Sequence, residues 1–490
     1  MSSAPQSIVS ARLTYYKTDL FIGGEWTPGS QSQRIDVFDP SSGRLIDTVA
    51  DGTVDDAKAA VEAAAAAAKD WAATPPRKRA EILRKAFDLM TARAEEFAYL
   101  ISLENGKALP DARGEVAYAA EFFRWFSEEA VRVIGDITSA PSGANRIVVQ
   151  YQPIGVAVLI TPWNFPAAMA TRKIAPALAA GCTCVLKPAA ETPLTALAMG
   201  ELLAEAGVPA GVVNIVTTSK PAEAVSAMTA HPSVRKLSFT GSTGVGRILL
   251  KGAAEKVLNC SMELGGNAPF IVFDDADLDA ALDGAMLAKM RNGGEACTAA
   301  NRFYVQDGIY DAFVDGFAKR MRGLQVGPGY ESATQCGPVI TKAALNKIDG
   351  LVKEAVDLGA KALVGGAPLE RDGFYYPPTV LTDVPAGARL LNEEIFGPVA
   401  PIIRFSDQDE AIKAANDTEY GLIAYVYTKD LARGLRVSEA LESGMIGLNR
   451  GIASDPAAPF GGVKQSGLGR EGAHHGILEF LEAKYIAVTW

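Results

Sequence analysis

One short segment holds a thiol among small residues, with a cation on each side. Cys297 stands after Gly293-Gly294 and before Thr298-Ala299-Ala300, and Arg291 and Arg302 flank it. A thiolate is a good nucleophile, and small neighbours let a substrate carbon come within bonding distance of the sulfur. A cysteine in an Ala-rich segment is more often a small core residue. Taken alone, the segment leaves nucleophilic catalysis and core packing both open.

A second candidate is a glycine-rich turn placed where a predicted strand leads into a helix. Residues 241–246 have the spacing G-x-x-G-x-G, which is not the dinucleotide fingerprint G-x-G-x-x-G. A helix N-terminus with the Ser242 hydroxyl and free amides can still bind one phosphate group. Lys187, directly after another predicted strand, is either a phosphate ligand or a solvated side chain. Both features therefore leave nucleotide binding and a plain turn open.

Length, composition and charge limit the classes of protein that need to be considered. A chain of 490 residues predicts two or three domains. With 48% hydrophobic and 21% charged residues, it is typical of soluble globular proteins. The balance of 47 basic against 57 acidic residues gives a net charge of −10, which argues against nucleic acid as a partner.

Cysteine usage and hydropathy favour a reducing, aqueous compartment. Residues 1–6 show no signal-peptide pattern, so we expect reduced thiols in a cytoplasmic protein rather than a disulfide framework. Cys182 and Cys184 have no further ligand at metal spacing, so no zinc or other metal site is predicted. No apolar run reaches the roughly 18 residues of a membrane span. The five cysteines are Cys182, Cys184, Cys260, Cys297 and Cys336.

The N-terminal third combines small hairpins with long helices. Alternation and Gly/Pro punctuation predict hairpins at residues 21–26 and 34–40. An Ala-rich helix is predicted from Val54 to Ala68, with acidic residues at its N-terminus, where the helix dipole favours them. Further amphipathic helices are predicted at about 76–104 and 110–134.

Two β-branched, alternating segments lie far apart in the sequence, at residues 146–153 and 483–490. We expect them to pair with each other. Exposed strands of this kind are aggregation hazards unless another subunit covers them. They therefore predict an oligomer interface, and a mass measurement showing a pure monomer would contradict this.

The middle of the chain alternates strands and helices with short connections. This order predicts a parallel, doubly wound sheet whose ligands bind beyond the carboxyl ends of the strands. A second α/β unit is predicted from about residue 269 to 460. The predicted strands of the first unit are residues 155–161, 184–186, 211–216 and 235–239, and its helices run to 180, near 193–206, near 221–230 and after residue 246.

Seven stretches together resemble the aldehyde dehydrogenase superfamily. They occur in that family's order and cover essentially the whole chain. The stretches are Pro162-Trp163-Asn164-Phe165-Pro166, residues 187–193, Phe239-Thr240-Gly241-Ser242-Thr243, Glu263-Leu264-Gly265-Gly266, residues 294–297, Glu394-Ile395-Phe396-Gly397-Pro398 and residues 459–467.

The resemblance implies an α/β fold of two doubly wound domains with a small β oligomerisation domain. It implies a cofactor-binding domain at residues 1–134 and 154–262 and a catalytic domain at 263–470. Residues 135–153 and 471–490 would form the oligomerisation segment of a homodimer or homotetramer.

The resemblance also implies the chemistry. Cys297 would be the nucleophile, Glu263 the general base, and Asn164 with the Cys297 backbone amide the oxyanion hole. Cysteine attack on an aldehyde needs preorganised donors for the alkoxide, and a base is needed to hydrolyse the thioester left after hydride transfer. A Cys–His hydrolase would need a histidine base, but none of the three histidines lies in a motif stretch: His231, His474 and His475.

Further roles follow from the same resemblance. Lys173 and Glu471 match a pair that relays protons to the base, although they would serve equally as a structural salt bridge. Phe396 matches a cofactor contact, although core packing would also explain it. The positions implied to bind the dinucleotide are Thr161, Pro162, Trp163, Lys187, Ala190, Gly241, Ser242, Leu264, Glu394 and Phe396.

The cofactor choice depends on one position. Many NAD-preferring members of the family have a Glu three residues after the lysine equivalent to Lys187, and here that residue is Ala190. Without that carboxylate there is less repulsion against a 2′-phosphate. Glu191 follows directly, with a side chain that should point elsewhere. We therefore expect NADP to be preferred, with NAD as the alternative.

For the aldehyde, residues 259–278 and 170–173 most resemble succinate-semialdehyde dehydrogenases. In that group Arg172, Arg291, Ser454 and Phe460 would bind the substrate, since paired guanidinium groups suit a carboxylate; singly, each Arg would more often form a surface ion pair. Arg172 and neighbouring Lys173 project about 100° apart on a helix, so we expect them to act separately.

Several alternatives remain open from the sequence. Some succinate-semialdehyde dehydrogenases have a redox-switching second cysteine where this chain has Ala299. Glutarate semialdehyde remains an alternative substrate, because one methylene changes pocket affinity only modestly. A broad-range or betaine-type aldehyde dehydrogenase and a catalytically silent structural relative are further alternatives. A CoA-acylating enzyme is disfavoured because Glu263 is present.

Overall fold

The computed structural model describes residues 13–490. Residues 1–12, which include the segment inspected for a signal peptide and the start of the predicted cofactor-binding domain, lie outside the described residues. Across residues 13–490, no helix combines the length and apolarity needed to cross a membrane.

Twenty strands are assigned within the described residues. In chain order they are β1 (Leu20–Ile22), β2 (Glu25–Thr27), β3 (Arg34–Asp39), β4 (Arg44–Ala50), β5 (Asp136–Ser139), β6 (Arg146–Pro153), β7 (Val156–Ile160), β8 (Thr183–Lys187), β9 (Val213–Ile215), β10 (Val234–Thr240), β11 (Asn259–Glu263), β12 (Ala268–Val272), β13 (Ala300–Gln306), β14 (Lys361–Val364), β15 (Thr379–Thr382), β16 (Val399–Phe405), β17 (Ile423–Tyr427), β18 (Met445–Leu448), β19 (Gly467–Leu468) and β20 (Leu481–Val488).

Fourteen α-helices connect or flank these strands in the described part of the chain. They are α1 (Val54–Ala73), α2 (Pro76–Ala92), α3 (Ala94–Asn105), α4 (Leu109–Glu129), α5 (Pro166–Ala180), α6 (Pro193–Ala206), α7 (Pro221–Ala230), α8 (Thr243–Ala254), α9 (Leu278–Met290), α10 (Tyr310–Arg322), α11 (Lys342–Asp357), α12 (Gln408–Asn416), α13 (Leu431–Ala440) and α14 (His475–Leu478).

The helices begin and end at residues that suit those positions. The Thr53 side chain accepts a hydrogen bond from the Asp56 amide, and the two residues form a capping box at the start of α1. Helix α5 has Pro166 in its first turn and is followed by Gly181 at φ +96°. Amide hydrogens in the first turn have no partner within the helix, so proline, which has none, suits this position. Glycine adopts the left-handed conformation without strain.

The first sheet has the order β19-β11-β10-β7-β8-β9-β1-β2. Its five central strands are parallel, and β1 and β19 join its flanks in the antiparallel sense. Ala157 and Leu159 face one apolar cluster while Val158 and Ile160 face another. Helices therefore cover both faces, which explains the continuous apolar run in β7.

The second sheet has the order β14-β15-β16-β13-β12-β17-β18 and is parallel except for β14. Phe270 faces one apolar cluster and its neighbour Ile271 faces another, so this sheet is also covered on both sides. The strand–helix alternation predicted for the two units is thus confirmed.

A third sheet forms an exposed arm of three strands, in the order β20-β6-β5. The predicted pairing of the two distant segments is confirmed: β6 and β20 are antiparallel, with Leu481 opposite Pro153 and Val488 opposite Arg146. Ile137 in β5 is 73% exposed and Tyr485 in β20 is 58% exposed. The arm therefore presents apolar side chains to solvent in the single chain.

Some predicted elements differ from the observed ones. The helix predicted at 76–104 is two helices, because Arg93 leaves helical geometry (φ −111°, ψ 24°) and its guanidinium lies on the Tyr15 ring. The helix predicted at 110–134 ends at Glu129. Helix α8 begins at Thr243, so most of the predicted glycine-rich turn at 241–246 is helical.

The domain boundaries implied by the resemblance stay a prediction. The last part of the predicted catalytic domain returns to the first sheet, where Leu468 pairs with Met262 and Gly467 with Glu263. This return places the chain after residue 460 beside the end of β11, where the predicted general base lies.

Candidate active site

Cys297 lies on a tight loop between helix α9 and strand β13. Three consecutive residues before it have left-handed backbone conformations: Asn292 (φ 52°), Gly293 (φ 58°) and Gly294 (φ 81°). A Cβ on Gly294 would lie 2.2 Å from the Gly397 carbonyl oxygen, and one on Gly266 would lie 2.3 Å from the Cys297 carbonyl oxygen. The glycines therefore allow neighbouring backbone to press against the loop and fix it.

Asn164 lies in the turn between β7 and α5 and is buried. Its side-chain Nδ2 donates to the Glu295 carbonyl oxygen at 3.0 Å. The Asn292 Nδ2 donates to the carbonyl oxygens of both Asn164 (2.9 Å) and Glu295 (3.2 Å). The Asn164 turn and the Cys297 loop are thus joined by amide hydrogen bonds, as predicted partners in one site would require.

A buried ion pair contacts the Asn164 turn and the start of helix α5. Lys107 Nζ lies 2.5 Å from Glu115 Oε2, with both side chains fully buried, and also donates to the Asn164 carbonyl oxygen at 2.6 Å. The other Glu115 oxygen accepts hydrogen bonds from the Ala167 and Ala168 amides at the start of α5. This carboxylate therefore caps the helix that contains Arg172 and Lys173.

Sequence reasoning missed Lys107, Glu115 and Asn292. A signal was present for Glu115, which lies among buried Ala112, Val116 and other apolar residues of α4. A charged residue within the apolar stripe of a helix indicates a buried partner. For Asn292 the signal was its place before two glycines, since asparagine tolerates left-handed conformation better than most residues.

Glu263 ends strand β11 and is buried. Within residues 13–490, neither of its carboxylate oxygens has a hydrogen-bond partner. Burial, followed by the negative charge of Glu471, raises the pKa of Glu263 well above its usual range. A buried carboxylate without fixed partners and with a raised pKa binds a proton more readily than an exposed one, as a general base must.

Glu471 brings Arg172 and Lys173 together rather than leaving them apart. Lys173 Nζ lies 2.5 Å from Glu471 Oε1, and Arg172 Nε contacts Glu471 Oε2. One carboxylate thus contacts both side chains despite the 100° angle between them, and their separate roles stay a prediction. Burial opposes the charge on Glu471, but the two cations outweigh it and lower its pKa.

A single cavity of about 1040 Å³ extends from Cys297 and Asn164 along the edge of the first sheet. Its volume is at the upper end of that typical for ligand sites. All ten positions predicted to bind the dinucleotide line this cavity: Thr161, Pro162, Trp163, Lys187, Ala190, Gly241, Ser242, Leu264, Glu394 and Phe396.

The cavity has a polar character at defined points. Ser242 is the N-cap of α8, so this helix presents its N-terminus next to a cavity residue. Burial lowers the pKa of Lys187, while Glu191 opposes that shift. Glu191 also lines the cavity, so the expectation that its side chain points elsewhere is wrong. Burial raises the pKa of Glu394 to about 7, although its Oε1 accepts a hydrogen bond from the Gly266 amide at 3.1 Å. Phe396 meets the Trp163 ring edge-on, with centroids 5.3 Å apart.

The residues predicted to bind substrate form two pairs outside that cavity. The Arg291 guanidinium lies 4.7 Å from the Phe165 ring centroid, and its Nη1 donates to Ser454 Oγ at 3.4 Å. The Arg172 guanidinium lies 4.2 Å from the Phe460 ring centroid. Aromatic faces pack against both guanidinium groups, and Arg172 is in addition paired with Glu471.

Positive charges near Cys297 offset only part of the effect that burial has on the pKa of its thiol. Burial raises the pKa of the thiol to about 12. Arg172 and Arg291 lower it, whereas Glu394 and Glu263 raise it. The sulfur is therefore a protonated thiol at neutral pH in this structure, and a nucleophilic role requires that its proton be removed as it reacts.

The chain is similar to known proteins both in sequence and in fold. A sequence model of the aldehyde dehydrogenase family matches residues 26–486. A succinate-semialdehyde dehydrogenase of Paenarthrobacter nicotinovorans is 57% identical over 91% of this chain and 99% of the relative. A glutarate-semialdehyde dehydrogenase of Pseudomonas putida is 49% identical over 97% and 98%, respectively. The crystal structure of an NADP-dependent enzyme of E. coli has a TM-score of 0.96 at 48% identity, covering 97% and 99%, which confirms the predicted α/β fold class.

Replacing Lys107 with Met should destabilise the protein strongly, because it leaves Glu115 buried without a counter-charge. We expect the free energy of unfolding to fall by about 3–5 kcal/mol, measured by urea denaturation. The matched control is Lys353→Met, which removes a lysine from an exposed pair with Asp349. That change should stay within about 1 kcal/mol, and equal effects would contradict a supporting role for Lys107.

The raised pKa of Cys297 predicts slow alkylation by iodoacetamide at neutral pH in the ligand-free chain. Only the thiolate reacts, so the rate should rise roughly tenfold per pH unit from pH 7 to pH 9 without a plateau. Mass spectrometry of the modified peptide measures the rate, and a Cys297→Ser chain supplies the background. A rate that levels off as the pH approaches 9 would show a thiol with an unraised pKa.

Proposed function

The chain belongs to the aldehyde dehydrogenase family, and we propose that it oxidises a short carboxylated aldehyde, succinate semialdehyde, to the dicarboxylate. The single observation that carries the substrate assignment is the pair of buried or half-buried guanidinium groups, Arg172 and Arg291, within electrostatic reach of Cys297. Guanidinium groups match the geometry and charge of a carboxylate. The relative from Paenarthrobacter nicotinovorans, named for this activity, agrees with the assignment.

Cys297 is proposed to attack the carbonyl carbon and form a thiohemiacetal, with Glu263 taking the thiol proton as the sulfur–carbon bond forms. The Asn164 amide, with the Cys297 backbone amide, would stabilise the negative oxygen. The bonds from Lys107 and Asn292 to the Asn164 carbonyl oxygen support this role, because they fix the turn before charge develops. Preorganised donors of this kind are worth about 10²–10³ in rate.

An oxidised nicotinamide, when bound, supplies the hydride acceptor that turns the thiohemiacetal into a thioester on Cys297. Glu263 is proposed to take a proton from water as the water attacks that thioester. Its raised pKa and its lack of fixed hydrogen bonds support this role. Lys173 and Glu471 are proposed to exchange protons with Glu263, a role that their contact supports but that a structural salt bridge would also satisfy.

The lining of the cavity fits a dinucleotide. Ala190 presents no carboxylate to a 2′-phosphate, and Lys187 stands nearby as a cation. We therefore propose NADP as the preferred cofactor, with NAD as the alternative. The structurally similar E. coli protein is described as NADP-dependent, which agrees with this choice.

The length of the aldehyde has a second candidate. The relative from Pseudomonas putida, named glutarate-semialdehyde dehydrogenase, favours a substrate one methylene longer. A single methylene changes discrimination by about 1–3 kcal/mol, so both aldehydes are candidates for one pocket. Relative kcat/KM for the two aldehydes decides between them.

Replacing Arg291 with Ala should raise KM for succinate semialdehyde roughly 10- to 100-fold, as expected for one lost charge-assisted contact. A neutral aldehyde of similar size should be oxidised as by the parent chain, because Arg291 would not contact it. Reduced nicotinamide formation measures both, with NADP and NAD in parallel. An equal effect on the two aldehydes would favour a broad-range or betaine-type enzyme, and no activity with any aldehyde in the parent chain would favour a silent structural relative.

We also propose that the chain assembles as a homodimer or homotetramer through the β20-β6-β5 arm. The exposed Ile137 and Tyr485 support this proposal. Ile137→Asp should shift the mass measured by light scattering towards one chain. Leu431→Asp, at a residue 68% exposed on α13, is the matched control and should leave the mass unchanged. A parent chain that is purely monomeric would contradict the proposal.

A further inference from the structure

Strands β10 and β11 place a row of polar side chains on one face of an otherwise apolar sheet. Lys236 lies opposite Asn259, Ser238 opposite Ser261, and the next pair in the same alternation ends at Glu263. Since successive side chains alternate between faces, residues two apart share a face. The row comprises Lys236, Ser238, Asn259, Ser261 and Glu263, and we call it the β10–β11 polar row.

The outer end of this row reaches solvent. Lys236 Nζ donates to Asn259 Oδ1 and Ser261 Oγ, each at 2.5 Å, and lies 3.2 Å from Glu479 Oε2. The Ser261 hydroxyl donates to the same Glu479 oxygen at 2.7 Å. The Lys236 side chain is fully buried, whereas that of Glu479 is 24% exposed and Asn259 is exposed. Glu479 is thus the point where these bonds meet water.

The inner end of the row contacts Lys173, which is paired with Glu471 close to the base. Lys173 Nζ donates to Ser238 Oγ at 3.0 Å and to Glu471 Oε1 at 2.5 Å. Glu471 in turn raises the pKa of Glu263 through its negative charge. Ser238 and Ser261 are partners on neighbouring strands, which lie about 4.8 Å apart. A hydroxyl both donates and accepts; the two serines are not hydrogen-bonded to each other directly, so one water between them would complete the connection.

We propose that the β10–β11 polar row, ending at Glu479, is the route by which protons leave the active site. This inference rests on the proposed aldehyde oxidation. Water attacking the thioester gives its proton to Glu263, and Lys173 with Glu471 passes it to Ser238. Ser261 and Lys236 hand it to Glu479, which releases it to solvent. Only protons move, and Glu263 returns to its carboxylate form.

The charges along the row suit proton transfer rather than permanent ion pairing alone. Burial lowers the pKa of Lys236 and of Lys173, in each case against a neighbouring carboxylate that raises it. The groups that act on Lys236 are Glu479 and Cys260, which favour its charge, and Lys173, which opposes it. A lysine with a lowered pKa gives up and regains a proton more readily than an exposed one.

The test compares Lys236→Met and Glu479→Gln with the parent chain. Gln keeps one acceptor oxygen at residue 479, replaces the other with an amide donor, and cannot take a proton. We expect the steady-state rate in weak buffer to fall about 10- to 100-fold, while the initial burst of reduced nicotinamide, which precedes thioester hydrolysis, keeps its size. Addition of imidazole, a small proton carrier, should restore part of the rate, and the solvent deuterium isotope effect should increase.

Glu439→Gln is the matched control, because it makes the same change at an exposed position of α13, outside both the polar row and the β20-β6-β5 arm. It should match the parent chain. If Lys236→Met does not fold, Glu479→Gln at the partly exposed end decides alone. An active parent chain whose Glu479→Gln variant is unimpaired, or impaired without recovery in imidazole, would overturn the proton route. A folded parent chain inactive with every aldehyde would instead overturn the proposed function, and the route with it.

Discussion

The geometry of the site depends on one amide group. The Asn292 side chain donates to the carbonyl oxygens of Asn164 and Glu295, which come from opposite sides of the cleft. One belongs to the turn after β7 of the first sheet, and the other to the loop before β13 of the second. Because Asp111 accepts a hydrogen bond from the Asn292 backbone amide, the donor is itself held in its left-handed conformation. The two sheets therefore meet at a fixed distance where Cys297 and Asn164 face a common space.

Several charged side chains are buried around the hydrogen bonds of Asn292. Lys107 and Glu115 pair one to one, whereas the single carboxylate of Glu471 is shared by two cations, Arg172 and Lys173. Such pairs stabilise little by themselves, since desolvation offsets most of their attraction. Their effect is on geometry and on proton affinity. Among residues 13–490, Glu263 has no hydrogen-bond partner, so its proton affinity depends on burial and on nearby charges.

Local sequence patterns correctly predicted elements whose formation depends mainly on residues close together in the sequence. The apolar run of β7 and the alternation of β6 depend on neighbouring residues, and both strands form as predicted. The ten dinucleotide positions, taken from the resemblance, all line one cavity. What sequence reasoning missed depends on long-range contacts: Arg93 breaks a helix by lying on Tyr15, and β19 returns to the first sheet from the far end of the chain. The joint engagement of Arg172 and Lys173 by Glu471 is a contact across 298 positions of sequence, which no local periodicity reports.

The two arginine–aromatic pairs proposed to bind the aldehyde lie outside the cavity proposed to bind the dinucleotide. Arg291 and Phe460 do not line the cavity that contains Trp163 and Phe396, and Cys297 is where the two regions approach each other. Under the proposed function, the dinucleotide and the aldehyde would therefore contact different sets of residues that come together near Cys297. Inhibitors designed for the larger compartment would meet a lining shared by many dinucleotide enzymes. Selective compounds should instead enter from the cationic side and carry an anionic tail together with a group that reacts with the sulfur.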